Sequence, residues 1–203
     1  SDLKSMQKYS AGFTSERLIK NEMTQVISLY LLGKKKDEIR DVVIEENLFN
    51  MRNVDAIKKN LSYINRRIRY MDENLMKIYI DNNSNDSMVI LFYTFLSSFR
   101  ISREFVIEVV YHNWINHKKV VTCADINYYF EDKSQQSEVV AKWKESTAKK
   151  IKNRVLEFCT QCGILEKQKG EFNIKPLQIS PELRNYIMNN DEYKKILIYI
   201  IGE

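Results

Sequence analysis

The stretch that decides the fold runs from Trp143 to Pro176 and reads WKESTAKKIKNRVLEFCTQCGILEKQKGEFNIKP. In it and just before it, residues recur at the three-and-four spacing of one helix face. These positions are Val140, Trp143, Thr147, Ile151, Val155, Phe158 and Cys162. Gly163 follows the last of them, where a left-handed helix cap needs a residue without a Cβ. The pattern predicts one long amphipathic helix that ends at Gly163.

Two short strand-like runs follow this helix. Residues 164–168 and 171–175 flank Lys169-Gly170, and Phe172 and Ile174 share one face of the second run. A helix followed by a hairpin with a basic tip is the order of elements in winged helices, although fold alone does not give function. We therefore predict a small C-terminal unit of helix plus β-hairpin that is winged-helix-like.

The composition of the remaining sequence favours helices. Of 203 residues, 44% are hydrophobic, and five Gly and two Pro leave little material for turns. The predicted fold class is mainly α, a compact multi-helix body carrying the helix-hairpin unit. We interpret residues 1–203 as a single domain. Its alternative division into subdomains 1–83 and 84–203 would fall in the Asn-, Asp- and Ser-rich loop predicted at residues 81–86.

Local signals place several helix ends. Asn53 is the predicted cap of the most regular helix in the chain. Residues 122–125 resemble a capping box and open a short helix through Phe130, before a polar loop at 133–137. Ser180-Pro181 starts another helix. Residues 193–201 are apolar on both faces, so periodicity does not separate helix from strand, or a core segment from one that docks on a partner.

Serines give two further predicted helix starts, at Ser87 and Ser102. The helix that Ser87 is expected to cap, residues 88–99, is largely apolar on all sides, which predicts a position in the centre of the fold. Near the N-terminus, Thr14 or Ser15 is expected to cap a helix that ends at Gly33. The lysines at 34–36 that follow it are interpreted as a solvated charged linker.

Positive charge is concentrated in two segments. The net charge of the chain is only +5, but residues 52–70 carry +5 and residues 138–176 carry +4, which leaves −4 for the rest. Such asymmetry raises the local potential and steers polyanions, although solvated helix faces give similar counts without any ligand.

Both segments contain candidate nucleic-acid-binding residues. A helical wheel places Arg52, Lys59, Tyr63, Arg66 and Tyr70 on one outward stripe, with Lys58, Arg67 and Arg69 as basic neighbours. Cations there would meet phosphates, and tyrosines would stack on unpaired bases. The alternative is that both tyrosines pack under a neighbouring helix and the arginines extend into water. The helix-hairpin unit contributes Lys142, Lys149, Lys150, Lys152, Arg154, Lys167 and Lys169.

Other classes of protein find little support. Cys159 and Cys162 form a Cys-x-x-Cys pair, but a zinc site needs two more ligands, for which only Cys123, His112 and His117 are Cys or His candidates. We favour packing of the pair as small hydrophobes and expect no metal and no cofactor. No phosphate-binding glycine loop or nucleophile elbow is present, so we do not expect an enzyme. The apolar runs are too short to span a membrane, which indicates a cytoplasmic protein.

Several stretches resemble the BrxA family. They are Tyr9-Ser-Ala-Gly-Phe13 before a helix, Asn60-Leu-Ser-Tyr-Ile-Asn-Arg-Arg-Ile68, Trp143 with Thr147 and Lys150, and Cys162-Gly-Ile-Leu165. The resemblance covers most of the chain. It implies a small helical protein of bacteriophage-exclusion (BREX) defence islands, with a fold compared to NusB antitermination factors, an association with DNA and no enzymatic activity.

Together, the residues and the resemblance predict a non-enzymatic DNA-binding accessory protein. Duplex DNA, bound with weak sequence preference, and other BREX proteins are the expected partners. The alternative is a scaffold that docks defence proteins through residues 193–201 and uses its charges only for solubility.

Overall fold

The computed structural model describes residues 7–81 and 84–203, and its central element is helix α5 (Ser84–Ser98). Residues 89–96 of α5 are all buried, because this helix is apolar on every side and so belongs inside a larger body. Around it pack α3, α4, α6, α10 and α12, whose bounds follow. The central position predicted for this apolar run is confirmed.

Four helices precede α5: α1 (Lys20–Leu31), α2 (Lys36–Glu45), α3 (Val54–Ile68) and α4 (Glu73–Ile80). The predicted cap of α3 is confirmed, since the Asn53 side chain accepts a hydrogen bond of 2.8 Å from the backbone N–H of Ala56. The first helix begins at Lys20, several residues after the Thr14 or Ser15 cap that the sequence suggested. Lys36 belongs to α2 and not to a linker.

Two other predicted starts are wrong. Ser87 lies inside α5, where its hydroxyl donates to the backbone carbonyl of Tyr79 over 2.8 Å. Helix α6 (Arg100–Phe105) already contains Ser102, which is buried. A π-helical segment (Val106–Tyr111) and α7 (His112–Ile115) continue directly from α6. The loop predicted at residues 81–86 is wrong for residues 84–86, which form the first turn of α5; residues 82 and 83, where the predicted subdomain boundary falls, lie outside the described residues.

Helix α8 (Cys123–Gln136) begins with the predicted capping box, in which Thr122 and Asp125 exchange side-chain and backbone hydrogen bonds. The polar loop predicted at 133–137 is wrong, since the helix continues to Gln136. Lys133 is 3% exposed, and its Nζ lies 2.9 Å from Glu104 and 2.8 Å from Glu108. These two carboxylates permit burial of a cation that the sequence pattern assigns to solvent.

The predicted long helix is interrupted. Helix α9 (Glu138–Ala141) ends in a turn at residues 142–144, and α10 (Glu145–Cys162) follows. Val140 is buried and Trp143 is half-buried, so the turn keeps the apolar spacing while breaking the helix. The end of α10 is confirmed, because Gly163 adopts the left-handed conformation with φ 91°.

The hairpin is confirmed as β2 (Leu165–Gln168) and β3 (Glu171–Ile174), with Phe172 and Ile174 buried. A third strand, β1 (Val120–Val121), was not predicted. It pairs antiparallel with β3, giving the sheet order β1-β3-β2. Two residues between a lysine pair and a helix cap carry too little alternation to be identified as a strand from sequence.

Two helices complete the chain: α11 (Pro181–Met188), capped by Ser180 as predicted, and α12 (Asp191–Ile200). The ambiguous segment is therefore a helix. Its residues Tyr193, Ile196, Leu197 and Ile200 are buried against α5, α11 and the π-helical segment. One hydrophobic cluster includes residues from Phe13 to Ile201, and α12 belongs to that core.

Candidate nucleic-acid interface

The first basic surface lies on α10 and the hairpin and comprises Lys149, Lys150, Lys152, Lys167 and Lys169; we call it the helix-hairpin surface. Four of these lysines are exposed, and Lys152 is half-buried. Lys152 and Lys167 line one cavity of about 370 Å³ with the buried Phe172 at its wall. Helix packing on the sheet thus brings together two cations that are distant in sequence.

Two predicted residues of this unit do not join that surface. Lys142 lies in the turn before α10 and is 80% exposed, 3.8 Å from Glu138. Arg154 is only 11% exposed, because its guanidinium donates to the carbonyl of Thr14 and to the carboxylate of Glu157. The role of Arg154 in the structure is to hold the N-terminal segment on α10.

The outward stripe predicted on α3 is only partly present. Arg52 and Lys59 are exposed, and Tyr70 is half-buried. The prediction that Tyr63 faces outward is wrong: it is 7% exposed, and its hydroxyl lies 2.8 Å from that of Ser15. The N-terminal segment before α1 covers this tyrosine, whereas the packing alternative expected a neighbouring helix to do so.

Arg66 and Arg67 are held by one buried carboxylate. Arg67 is fully buried and contacts Glu16 at 3.1 Å and 2.5 Å, while Arg66, 34% exposed, contacts it at 2.9 Å. Burial raises the pKa of Glu16, and the charges of the two arginines oppose that rise. Counting Arg67 with the outward basic residues was therefore wrong, and Arg66 is only partly available to a ligand.

A second basic surface is a groove between α2 and α3 of about 640 Å³, which we call the α2–α3 groove. Its cations are Lys36, Arg40, Lys58, Arg66 and Arg69, and its other lining residues are Leu61, Ser62 and Asn65. All lining residues belong to the described part of the chain, and none is acidic. On α2 the two cations, Lys36 and Arg40, are four residues apart and so share one face. On α3 and the residue that follows it, positions 58, 62, 65 and 69 form one stripe.

Sequence reasoning missed this groove because its cations come from two helices. The wheel of α3 placed Arg52 and Lys59 together, but the partner helix α2 lies beside Lys58 and Arg69 instead. The interpretation of the lysines at 34–36 as a solvated linker is wrong for Lys36. A usable signal was the i, i+4 pair of Lys36 and Arg40 on an otherwise acidic helix.

The cysteine pair packs in the core. Cys159 and Cys162 are buried, and burial raises the pKa of both thiols, so they remain protonated hydrophobes. Within residues 7–81 and 84–203, no group of three or more His, Cys, Asp or Glu side chains is arranged to hold a metal ion. In the same described ranges, no helix is both long and apolar enough to span a membrane.

Comparisons with known proteins agree on one family. The BrxA family model matches residues 7–191. BREX protein BrxA of Bacillus cereus (strain H3081.97) is 28% identical over 194 residues, covering 95% of this chain and 97% of that protein. BREX protein BrxA of Paramagnetospirillum magneticum (strain ATCC 700264 / AMB-1) is 21% identical over 185 residues, covering 91% and 92%.

A solved structure shares the fold. The crystal structure of an uncharacterized protein from Magnetospirillum magneticum matches 96% of this chain and 98% of its own, with a TM-score of 0.78 and 21% sequence identity. The winged-helix and NusB comparisons stay predictions. Because the family match extends over nearly the whole sequence and the relatives are matched end to end, the chain belongs to the BrxA family.

Proposed function

We propose that this BrxA-family chain is a non-enzymatic DNA-binding accessory protein of a BREX anti-phage defence system. Family membership supports the defence role, and the two basic surfaces support the ligand. We further propose that it works in the cytoplasm, where duplex DNA is available, and that other BREX proteins are its protein partners.

The observation that carries the proposal is the composition of the α2–α3 groove. Five cations line a cleft to which no carboxylate contributes, and among them Lys36, Arg40 and Lys58 make no ion pair with a described residue. On a chain with 27 acidic residues, such a groove concentrates positive potential. Phosphates release counterions when they meet such cations, which is the main source of sequence-independent affinity.

The charged residues of the helix-hairpin surface fit phosphates better than base edges. Lysine predominates on the helix-hairpin surface, and lysine acts as a point charge, whereas base reading relies on bidentate arginine, asparagine or glutamine pairs. We therefore expect weak sequence preference. Contacts of this kind fix position on the duplex without reading its sequence.

The segment that the alternative scaffold role requires for docking is buried. That role depended on residues 193–201 being free to dock, but α12 is part of the core through Ile196, Leu197 and Ile200. Large exposed hydrophobic residues elsewhere, such as Leu32 and Ile115, are on separate elements. Isolated apolar side chains on a surface are normal and do not form a docking patch.

The test is a titration of fluorescent duplex DNA at several salt concentrations. With roughly four to six phosphate contacts, log affinity should fall with log salt with a slope of about −4 to −5. Replacing Lys149, Lys150 and Lys167 with glutamine should reduce the steepness of that slope. Binding that is absent in dilute buffer, or that does not change with salt, would refute the proposal.

A further inference from the structure

A second cleft, of about 720 Å³, opens beside the α2–α3 groove. Residues from the end of α3, from α5 and from the start of α12 line it, chief among them Arg69, Tyr70, Tyr93, Asn190, Glu192 and Tyr193. Its volume falls in the range typical of sites for small organic groups, about 300 to 1,000 Å³. Three tyrosines in one cleft with amide and carboxylate groups resemble the lining of a site for a planar polar ring.

The aromatic rings of this cleft are held in place. Tyr93 and Tyr193 meet edge to face with ring centroids 5.4 Å apart. The Tyr93 hydroxyl donates to the carbonyl of Tyr70 over 3.2 Å, and the Tyr193 hydroxyl accepts from the backbone N–H of Asp72 over 2.8 Å. Tyr93 is 2% and Tyr193 is 5% exposed, so these fixed rings support the cleft from the core, and the half-buried Tyr70 is the ring on which a planar ligand would pack.

Arg69 connects the two clefts, since it lines both of them. Its guanidinium lies 4.9 Å from the centroid of the Tyr70 ring and donates to the Tyr70 hydroxyl over 2.9 Å. The cation that ends the row of basic residues is thus in contact with the first aromatic residue of the neighbouring cleft. In a nucleotide, phosphate and base are separated by one sugar, so the same adjacency occurs in the ligand.

The α2–α3 groove and the aromatic cleft differ in charge in the way that the phosphate and the base of a nucleotide require. Every charged residue that lines the groove is a cation, whereas the aromatic cleft contains Asn190, Glu192 and Asp72, whose carboxylate also caps α4 and accepts a hydrogen bond from Tyr186. Carboxylates repel phosphate but accept hydrogen bonds from base amino groups, and an amide pairs with either kind of base edge. The aromatic cleft therefore suits a base and not a phosphate.

We propose that the tyrosine cleft receives an unpaired base of a DNA strand whose backbone lies in the α2–α3 groove. This inference rests on the proposed DNA-binding function and adds a preference for DNA with a single-stranded part. Stacking on aromatic side chains accepts any base, because every base has a π-face. The site therefore selects unpaired structure without selecting sequence.

The test uses three DNA ligands that share one blunt duplex: the duplex alone, the duplex with a short single-stranded extension, and the duplex with an abasic extension of equal length. The last two have the same phosphates, so their difference isolates the bases. The set of three is prepared twice, once with the extensions at a 3′ end and once with them at a 5′ end. Stacking of one base predicts at least about fivefold tighter binding of the natural extension than of the abasic one.

Tyr70→Leu removes the ring and keeps apolar volume at a half-buried position, and Tyr128→Leu is the matched control at an exposed tyrosine outside the cleft. Tyr70→Leu should abolish the preference for the natural extension over the abasic one, whereas Tyr128→Leu should keep that preference. Equal affinity of the wild-type protein for the natural and abasic extensions would overturn the inference while leaving the proposed function intact. Absence of binding to all three ligands would overturn both.

Discussion

Replacing Lys36, Arg40 and Lys58 with glutamine tests the α2–α3 groove most directly. All three side chains are exposed on α2 or α3, and glutamine matches lysine and arginine in helix propensity. The substitutions remove three charges without introducing repulsion. Because surface changes of this kind usually alter stability by no more than about 0.5 kcal/mol each, the melting temperature should stay close to that of the wild type.

The magnitude follows from the cations that the groove presents. Glu16 holds Arg66, so four of the five make no ion pair with a described residue, and the variant removes three of those four. Each phosphate contact contributes about 0.9 to the slope of log affinity against log salt, so the slope should become shallower by about 2.7. At a salt concentration of about 0.15 M, that relation gives roughly a fivefold loss per contact and a loss on the order of 100-fold in total.

The assay is fluorescence anisotropy with a short duplex at four or more salt concentrations, beside a control in which Lys77, Lys119 and Lys195 become glutamine. These lysines are exposed and lie outside both basic surfaces, and the control changes net charge equally. Distant exposed charges are screened beyond about 8 to 10 Å at physiological salt, so the control should bind almost as well as wild type. Equal losses in the two folded variants would show that binding is diffuse and that the groove is not the site.

Three further predictions concern stability. Deleting residues 191–203 should abolish cooperative unfolding. The deletion removes four buried side chains, those of Tyr193, Ile196, Leu197 and Ile200, each of which stabilises the fold by about 1.5 to 3 kcal/mol, whereas the free energy of unfolding of a whole domain is only about 5 to 15 kcal/mol. A sharp melt of the truncated protein would contradict this. Gly163→Ala should cost about 1 to 2 kcal/mol of stability and lower the melting temperature by about 2 to 8 °C. The added Cβ would have room, 3.7 Å from Leu177, but the backbone φ of 91° is strained for any residue with a Cβ. An unchanged melting temperature would mean that the helix end relaxes. Burial opposes ionisation of Glu104, but hydrogen bonds from Tyr9, Arg100 and Lys133 outweigh it and lower the pKa of this carboxyl. Its contribution is therefore present above its unfolded pKa and lost as pH falls through the folded pKa, so the melting-temperature deficit of Glu104→Gln should be full at pH 6 and shrink as the pH is lowered toward 3. An equal deficit at both pH values would refute the linkage.

Much of the secondary structure could be read from the sequence because its signals are local. Asn53, Thr122 and Ser180 cap helices through atoms only a few residues away, and Gly163 ends α10 through its own backbone conformation. The alternation of apolar and polar residues in the hairpin likewise involves only residues that are close together in the chain. Apolar periodicity also identified α5 as central, since a helix with no polar face has nowhere else to be stable.

Errors arose where a distant segment decides the environment of a residue. Lys133 is buried only because Glu104 and Glu108 lie opposite it, and Arg67 only because Glu16 does. Tyr63 has the spacing of an outward residue, but the N-terminal segment covers it through Ser15. No helical wheel contains the partner in these contacts.

The sequence by itself determined the helical class, several helix caps, the hairpin and the two segments with excess positive charge. Tertiary structure decided which cations share a surface: Lys36 and Arg40 of α2 meet Lys58 and Arg69 of α3, while Arg154 is used internally. It also brought Tyr93 and Tyr193 to Tyr70 in one cleft. Helix ends depend on hydrogen bonds within a few residues, whereas a binding surface depends on how helices pack. Packing brings together residues that are distant along the chain, and their positions in the sequence do not reveal that contact.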